Sequence, residues 1–221
     1  MRRCMTWTLC LLGVWAAGPP VADAVILINE VLADPPALFG DANGDGIVSA
    51  TQDEFIELVN TGAAAVPLAG WSLSDSAQTR HLFAPSAVIS GLGFYVVFGG
   101  GNPQGFAAAS IASTGTLSLN NTGDTVWLRD AASQPINAFT YGAEGGKDVS
   151  LTRWPDGSGG FVGHSSLNAR AFSPGTTVDG QPGLPPPAPG GPAVPEPSAL
   201  GLVGVGVLSG WIAVKRRRRK S

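Results

Sequence analysis

Apolar residues between Val25 and Val178 come in short runs, and no segment keeps a helical period for three turns. Val25–Ile28, Glu54–Val59, Trp71–Ser74, Gly93–Phe98, Gly115–Leu119, Thr125–Arg129 and Ile136–Tyr141 are rich in β-branched and aromatic residues, and clusters of Gly, Pro, Asn and Asp separate them. Such runs read as strands, because branched and aromatic side chains pack well on a pleated surface and the punctuating residues supply turns. Alternation sets the faces: Val126 and Leu128 point one way, Thr125, Trp127 and Arg129 the other. The pattern predicts an all-β, antiparallel sandwich of about seven strands.

Two apolar runs outside this region have another character. Arg2 and Arg3 precede Leu9–Ala17, and Ala22-Asp23-Ala24 puts small residues, Ala22 and Ala24, where a signal peptidase reads, so 1–24 is a signal peptide and the mature chain begins near Val25. Leu9 is too large for Cys10 to be a lipidation site. The second run, Ala199–Val214, is uncharged and as a helix reaches roughly 24 Å, short of a hydrocarbon core of about 30 Å. Trp211 and the snorkelling cations of Lys215–Lys220 make up the difference, and the positive-inside rule keeps the Ser221 end cytoplasmic. Residues 179–193 are a Pro/Gly-rich spacer of polyproline character that holds the domain, 25–178, away from the membrane.

Val194-Pro195-Glu196-Pro197, a membrane-length apolar segment and a terminal basic cluster, in that order over 194–221, resemble the PEP-CTERM sorting signal of Gram-negative bacteria. The resemblance implies an exosortase as processing partner. It also implies transient inner-membrane anchoring through 199–214 as a single transmembrane helix, then release to the outer surface or the extracellular space. An uncleaved anchor of the same topology is the alternative.

The formal charge of -3 conceals an asymmetry: 25–193 carries five basic and fourteen acidic residues, a balance of -9, offset by the basic tail. An acidic surface disfavours nucleic acid, whose binding needs Lys and Arg to displace counterions, and favours divalent cations or polar glycans. Cys4 and Cys10, the only cysteines, lie in the signal peptide, so packing rather than disulfides holds the exported domain.

Ile28-Asn29-Glu30-Val31, Glu54-Phe55-Ile56-Glu57-Leu58-Val59-Asn60, Val66–Asp75 with its Gly70-Trp71, Asn121-Thr122-Gly123-Asp124-Thr125-Val126-Trp127-Leu128 and Phe172-Ser173-Pro174-Gly175 resemble, in order, the motifs of the lamin-tail domain. That family implies an immunoglobulin-like β-sandwich. Trp71 is read as a core aromatic filling the sandwich centre.

The best candidate site is an acidic insertion at 40–53. Asp41, Asn43 and Asp45 stand at positions one, three and five of an EF-hand-like calcium loop, Gly46 allows its turn, and Ile47 would ligate through its carbonyl. The twelfth position is Gln52, so Asp53 or Glu54 must close the shell, late; the alternative is a solvated turn in which Asn, Gly and Asp simply accept positive φ. Ca2+ is thus the expected cofactor.

No Ser-His-Asp, HExxH or zinc pattern surrounds His81 or His164, both read as surface or turn residues, and the chain is expected not to be an enzyme. Trp154, before Pro155-Asp156-Gly157, is a candidate ligand contact. Two functions are expected: a non-catalytic surface or extracellular-matrix module for adhesion, contacting exopolysaccharide or other surface proteins, or a carbohydrate-binding module. An accessory domain of an extracellular hydrolase is a distant third.

Overall fold

The computed structural model describes residues 24–186. Ala22 with the rest of 1–23, Val194, Pro195, Glu196 and Pro197, and the apolar run 199–214 lie outside the described residues. Among the described residues no helix is long and apolar enough to cross a membrane.

Twelve strands follow in order: β1 (Ile26–Leu32), β2 (Phe55–Asn60), β3 (Val66–Pro67), β4 (Ser72–Ser74), β5 (Thr79–Leu82), β6 (Val88–Ile89), β7 (Phe94–Phe98), β8 (Ala109–Ile111), β9 (Asp124–Arg129), β10 (Pro135–Tyr141), β11 (Leu151–Trp154) and β12 (Gly160–Gly163). They form a six-stranded sheet in the order β12-β11-β1-β2-β7-β8, a four-stranded sheet β10-β9-β4-β5, and a small β3-β6 ladder. The two larger sheets share one core: Ile28, Leu58 and Val97 from the first meet Leu73, Val126 and Leu128 from the second, with Leu68, Phe83, Ile89 and Leu117 closing the ends. This is the all-β sandwich expected, except that β7 and β8 pair in parallel. The ten-residue connection from Gly99 to Ala108 lets the chain turn back before pairing in the same direction, as a tight hairpin could not.

Other differences have local causes. Gly115–Leu119 forms no strand. Ser118 takes a positive φ of 51° and donates its backbone N–H to Thr116 Oγ1, yet Leu117 still plugs the core from an extended segment. Trp71 is half-buried and packs against the edge of the core rather than filling its centre. The hairpin β11–β12 carries too few β-branched residues to announce itself, and it adds two strands to the edge of the large sheet.

One irregularity governs the rest. Ile28 and Val31 both face the shared core although they are three apart, because a bulge interrupts the β1–β2 register between Ile28 and Glu30. An extra residue re-phases the strand, so Asn29 and Glu30 both bond on the opposite, outer face of the sheet. The Ile28 N–H donates to Asn137 Oδ1 of β10 at 3.0 Å, stitching the two sheets together.

The outer face is buried too. Leu32, Phe55, Val96 and Phe98 form a second apolar cluster there, covered by Ala42, Phe106 and Phe172. Phe172 meets the Phe55 ring edge-on at 6.4 Å, a favourable aromatic geometry. Every residue of β2 and β7 is consequently buried, and the large sheet behaves as a middle layer. Leu58→Ala, at the centre, is expected to cost about 2–5 kcal/mol in urea unfolding. Leu82→Ala, on a side chain 57% exposed, should stay within about 0.5 kcal/mol of wild type.

Candidate functional site

Two polar assemblies stand out, the insertion between β1 and β2 and a group of buried acids on the outer face of the large sheet. In the insertion each carboxylate folds onto backbone amides. Asp41 Oδ2 accepts the Gly46 N–H at 2.9 Å, Asn43 Oδ1 that of Asp45 at 2.9 Å, and Asp45 Oδ1 that of Ile47 at 2.9 Å. Gly44 and Gly46 take φ of 72° and 88°, which permits the tight winding. The loop is also sewn to the β7–β8 connection: Asp45 Oδ2 accepts the Asn102 N–H at 3.0 Å, and Asn43 Nδ2 donates to the Gly100 carbonyl. A Cβ at Gly101 would stand 2.3 Å from Asn43 Nδ2, so only glycine fits there.

Asp41, Asn43, Asp45 and Asp53 are therefore brought together. Asp53 gives one oxygen to the Asn43 N–H at 3.0 Å and the other to the Ser49 N–H at 2.7 Å, and burial raises its pKa. Glu54 points elsewhere. Its carboxylate lies toward the backbone amides of Ser118 and Leu119, Oε2 is buried without a partner, and burial pushes it up to about 8. Ile47 is exposed. Asp41 Oδ1 is buried with no partner, and the Asn43 and Asp45 Oδ1 atoms accept one bond each, so all three keep a lone pair for a hard cation. Among the described residues no group of three or more His, Cys, Asp or Glu has the arrangement of a metal centre.

The buried acids were not foreseen as a cluster. Glu30 and Glu57 face each other across β1 and β2, both fully buried. Glu30 Oε1 accepts Ser150 Oγ at 2.5 Å and the Ser173 N–H at 3.0 Å, and its Oε2 accepts Ser173 Oγ at 2.9 Å. Glu57 Oε1 accepts Asn29 Nδ2 at 2.9 Å and its Oε2 the Gly175 N–H at 2.6 Å. Asn29 Nδ2 also donates to Asp156 Oδ1 at 3.0 Å, Asn29 Oδ1 accepts the Gly157 N–H at 2.8 Å, and Asp156 Oδ2 accepts the Val178 N–H at 3.2 Å. Among the described residues no lysine or arginine pairs with any of the three acids. Arg153 of β11 instead donates to the Ile28 and Gly159 carbonyls.

The donors reveal the purpose. Ser173, Gly175 and Val178 belong to a strap, residues 165–186, that crosses the outer face without forming a strand. The acids supply the acceptors that its backbone amides would otherwise lack. Burial pushes Glu30 up to about 7, and burial together with the Glu30 charge pushes Glu57 well above the carboxylate range. Holding a proton on the pair costs less than desolvating two like charges.

Both histidines are buried, contrary to the expectation of surface residues. His81 lies edge-on to Phe83 and bonds Ser110 and Ser113 through its two ring nitrogens; burial lowers it to about 4. His164 Nδ1 meets the Arg170 carbonyl at 3.1 Å beneath the strap, with burial lowering its pKa. Burial holds both toward the neutral form. Trp154 ends β11 with 43% of its surface exposed, ahead of a cis Trp154–Pro155 bond.

A model of the lamin tail domain family matches residues 19–143. This chain belongs to the lamin tail domain family. A second model, the PEP-CTERM protein-sorting motif, matches residues 193–219 and marks the chain as exported and processed by an exosortase. No curated protein matches the chain. The lamin-tail match ends before β11, yet β11 pairs with β1 and the strap covers β2, so the folded domain in this chain continues through β12 and the strap. The signal that would have exposed the acid cluster is Glu30 and Glu57 themselves: each interrupts a strand whose other residues are apolar or otherwise buried.

The raised acids fix a pH dependence. A carboxyl whose folded pKa is raised stabilises fully below its unfolded pKa, near 4.5, and loses that stabilisation as pH rises through the folded value. Glu30, Glu57 and Glu54 all act in this sense. The two histidines, lowered on folding, contribute fully above about 6.5 and do not oppose the trend there. Tm should therefore fall between pH 6.5 and 8.5, at roughly 2–4 °C per kcal/mol lost. Glu57→Gln should lower Tm at pH 6.5 by removing an acceptor and make the fall to pH 8.5 shallower; a flat wild-type profile in differential scanning calorimetry contradicts the assignment.

Proposed function

We propose that this chain is a non-catalytic surface or extracellular-matrix protein whose lamin-tail domain works in adhesion or matrix contact. The observation that carries the reading is order along the chain: one lamin-tail match, then a sorting motif at the far end. Residues 199–214 hold the chain in the inner membrane, C-terminus inward, until the exosortase cuts near Pro195-Glu196-Pro197. The domain then acts outside the cell, against exopolysaccharide or other surface proteins. Mass spectrometry of the exported protein should find a C-terminus before the basic cluster. A mature form retaining Arg216–Arg219 would leave a plain membrane anchor instead.

Calcium belongs to the same proposal. Asp41, Asn43 and Asp45 would hold the ion, with the Ile47 carbonyl and Asp53 completing the shell, and it would stiffen the contact between the insertion and the β7–β8 connection. Its support is the pattern of loop hydrogen bonds and the unpartnered Asp41 Oδ1. Chelation should lower Tm by several °C, and Asp41→Ala should abolish the difference; equal Tm with and without chelator ends the calcium reading. A carbohydrate-binding module is the second reading, favoured by the exposure of Trp154.

A further inference from the structure

The described domain is acidic, and its few cations are unevenly spent. Arg80 pairs with Asp75 at 2.6 Å, Arg153 donates to two carbonyls and lies over Phe161, and Arg129 lies over Trp127. The remaining two, Lys147 and Arg170, make no ion pair among the described residues, and both line one cavity of about 790 Å3. Pro36 and Phe172 contribute to its apolar wall. Leu38 and Phe39 stand at the same cavity, 80% and 75% exposed, the two most exposed large apolar side chains in the described chain. That volume suits a small ligand, and solvating two such side chains for no return is unfavourable.

We propose that this cavity is the site at which the domain holds a polysaccharide bearing carboxylated sugars, such as uronic acids. Arg170 and Lys147 take the carboxylate, Arg170 through its forked donors. The Phe39 ring lies against the apolar face of the sugar, and the Asp148 carboxylate, at the same cavity, accepts its hydroxyls. Charge decides the class of partner. A domain of net -9 is repelled by a densely anionic surface such as an acidic bilayer or a nucleic acid. Each carboxylated sugar brings together one charge, an apolar ring face and hydroxyls, the set that the two cations, Phe39 and Asp148 meet at this cavity. Membrane recognition through charge draws on clusters of about four to eight cations, and two of the described residues supply cations at this cavity.

The cavity is also well placed. Phe172 packs against Phe55 at the start of β2, whereas Leu184 lies beside Val59 and Thr61 at its end, near the last described residue. The described chain therefore departs from the opposite end of β2 from the cavity.

This inference rests on the adhesion reading and names its partner. The test is titration of the full exported protein with a galacturonate hexamer, its methyl ester, hexaglutamate and vesicles containing anionic lipid. The hexamer should bind, in a salt-sensitive manner, with the other three at least about tenfold weaker. Phe39→Ser, Lys147→Gln and Arg170→Gln should each weaken it by about tenfold or more without shifting Tm, since all three side chains are exposed. Equal binding of the methyl ester, of hexaglutamate or of vesicles, or no binding at all, overturns the proposal. Adhesion by cells carrying the chain, persisting in the Arg170→Gln variant, would remove this cavity while leaving the adhesion reading in place.

Discussion

Two carboxyl groups fully buried on one face of a β-sheet, with a half-buried third beside them and, among the described residues, no lysine or arginine to neutralise them, set the terms for the rest of this domain. Glu30, Glu57 and Asp156 are tolerable there because N–H and O–H donors surround them, and protons replace part of the charge of Glu30 and Glu57. Most of those donors come from the strap. The dependence runs both ways: without the acids the amides of Ser173, Gly175 and Val178 have no acceptors, and without the strap the acids lie under water and pull the outer layer open. The bulge in β1 makes this possible, since it turns Asn29 and Glu30 outward while keeping Ile28 and Val31 in the core.

A middle-layer sheet follows from the same arrangement. The sandwich core binds the large sheet to the small one, while the strap, the insertion and the β7–β8 connection cover its other face. The insertion thus has structural work with or without an ion, because its Asn43 and Asp45 fasten the connection at Gly100 and Asn102.

Much of this was legible in the sequence. Six of the seven runs predicted as strands fall within or overlap strands of the two sheets over most of their length, because their branched and aromatic residues face a core on at least one side. The lamin-tail motifs gave the fold, and the acidic insertion was visible by its oxygen spacing. What escaped depends on tertiary partners. Gly115–Leu119 has strand composition, but Ser118 bonds locally instead. The histidines look solvent-facing in sequence, and only the folded chain supplies Ser110, Ser113 and the Arg170 carbonyl to bury them against. Glu54 sits next to Asp53 in sequence but turns to the opposite side of the sheet from Glu57, toward Ser118 and Leu119. The pairing of Glu30 and Glu57 with Ser173 and Gly175 spans more than a hundred residues, and no local pattern announces it.

The most direct test of this account is amide hydrogen exchange in the strap, followed residue by residue near pH 6.5. If the buried acids hold the strap as part of the folded core, the Ser173, Gly175 and Val178 amides exchange as slowly as those of β1 and β2. If those three exchange as fast as exposed loop amides while β1 and β2 remain protected, the strap is a passive cover and the central role given to Glu30, Glu57 and Asp156 is wrong.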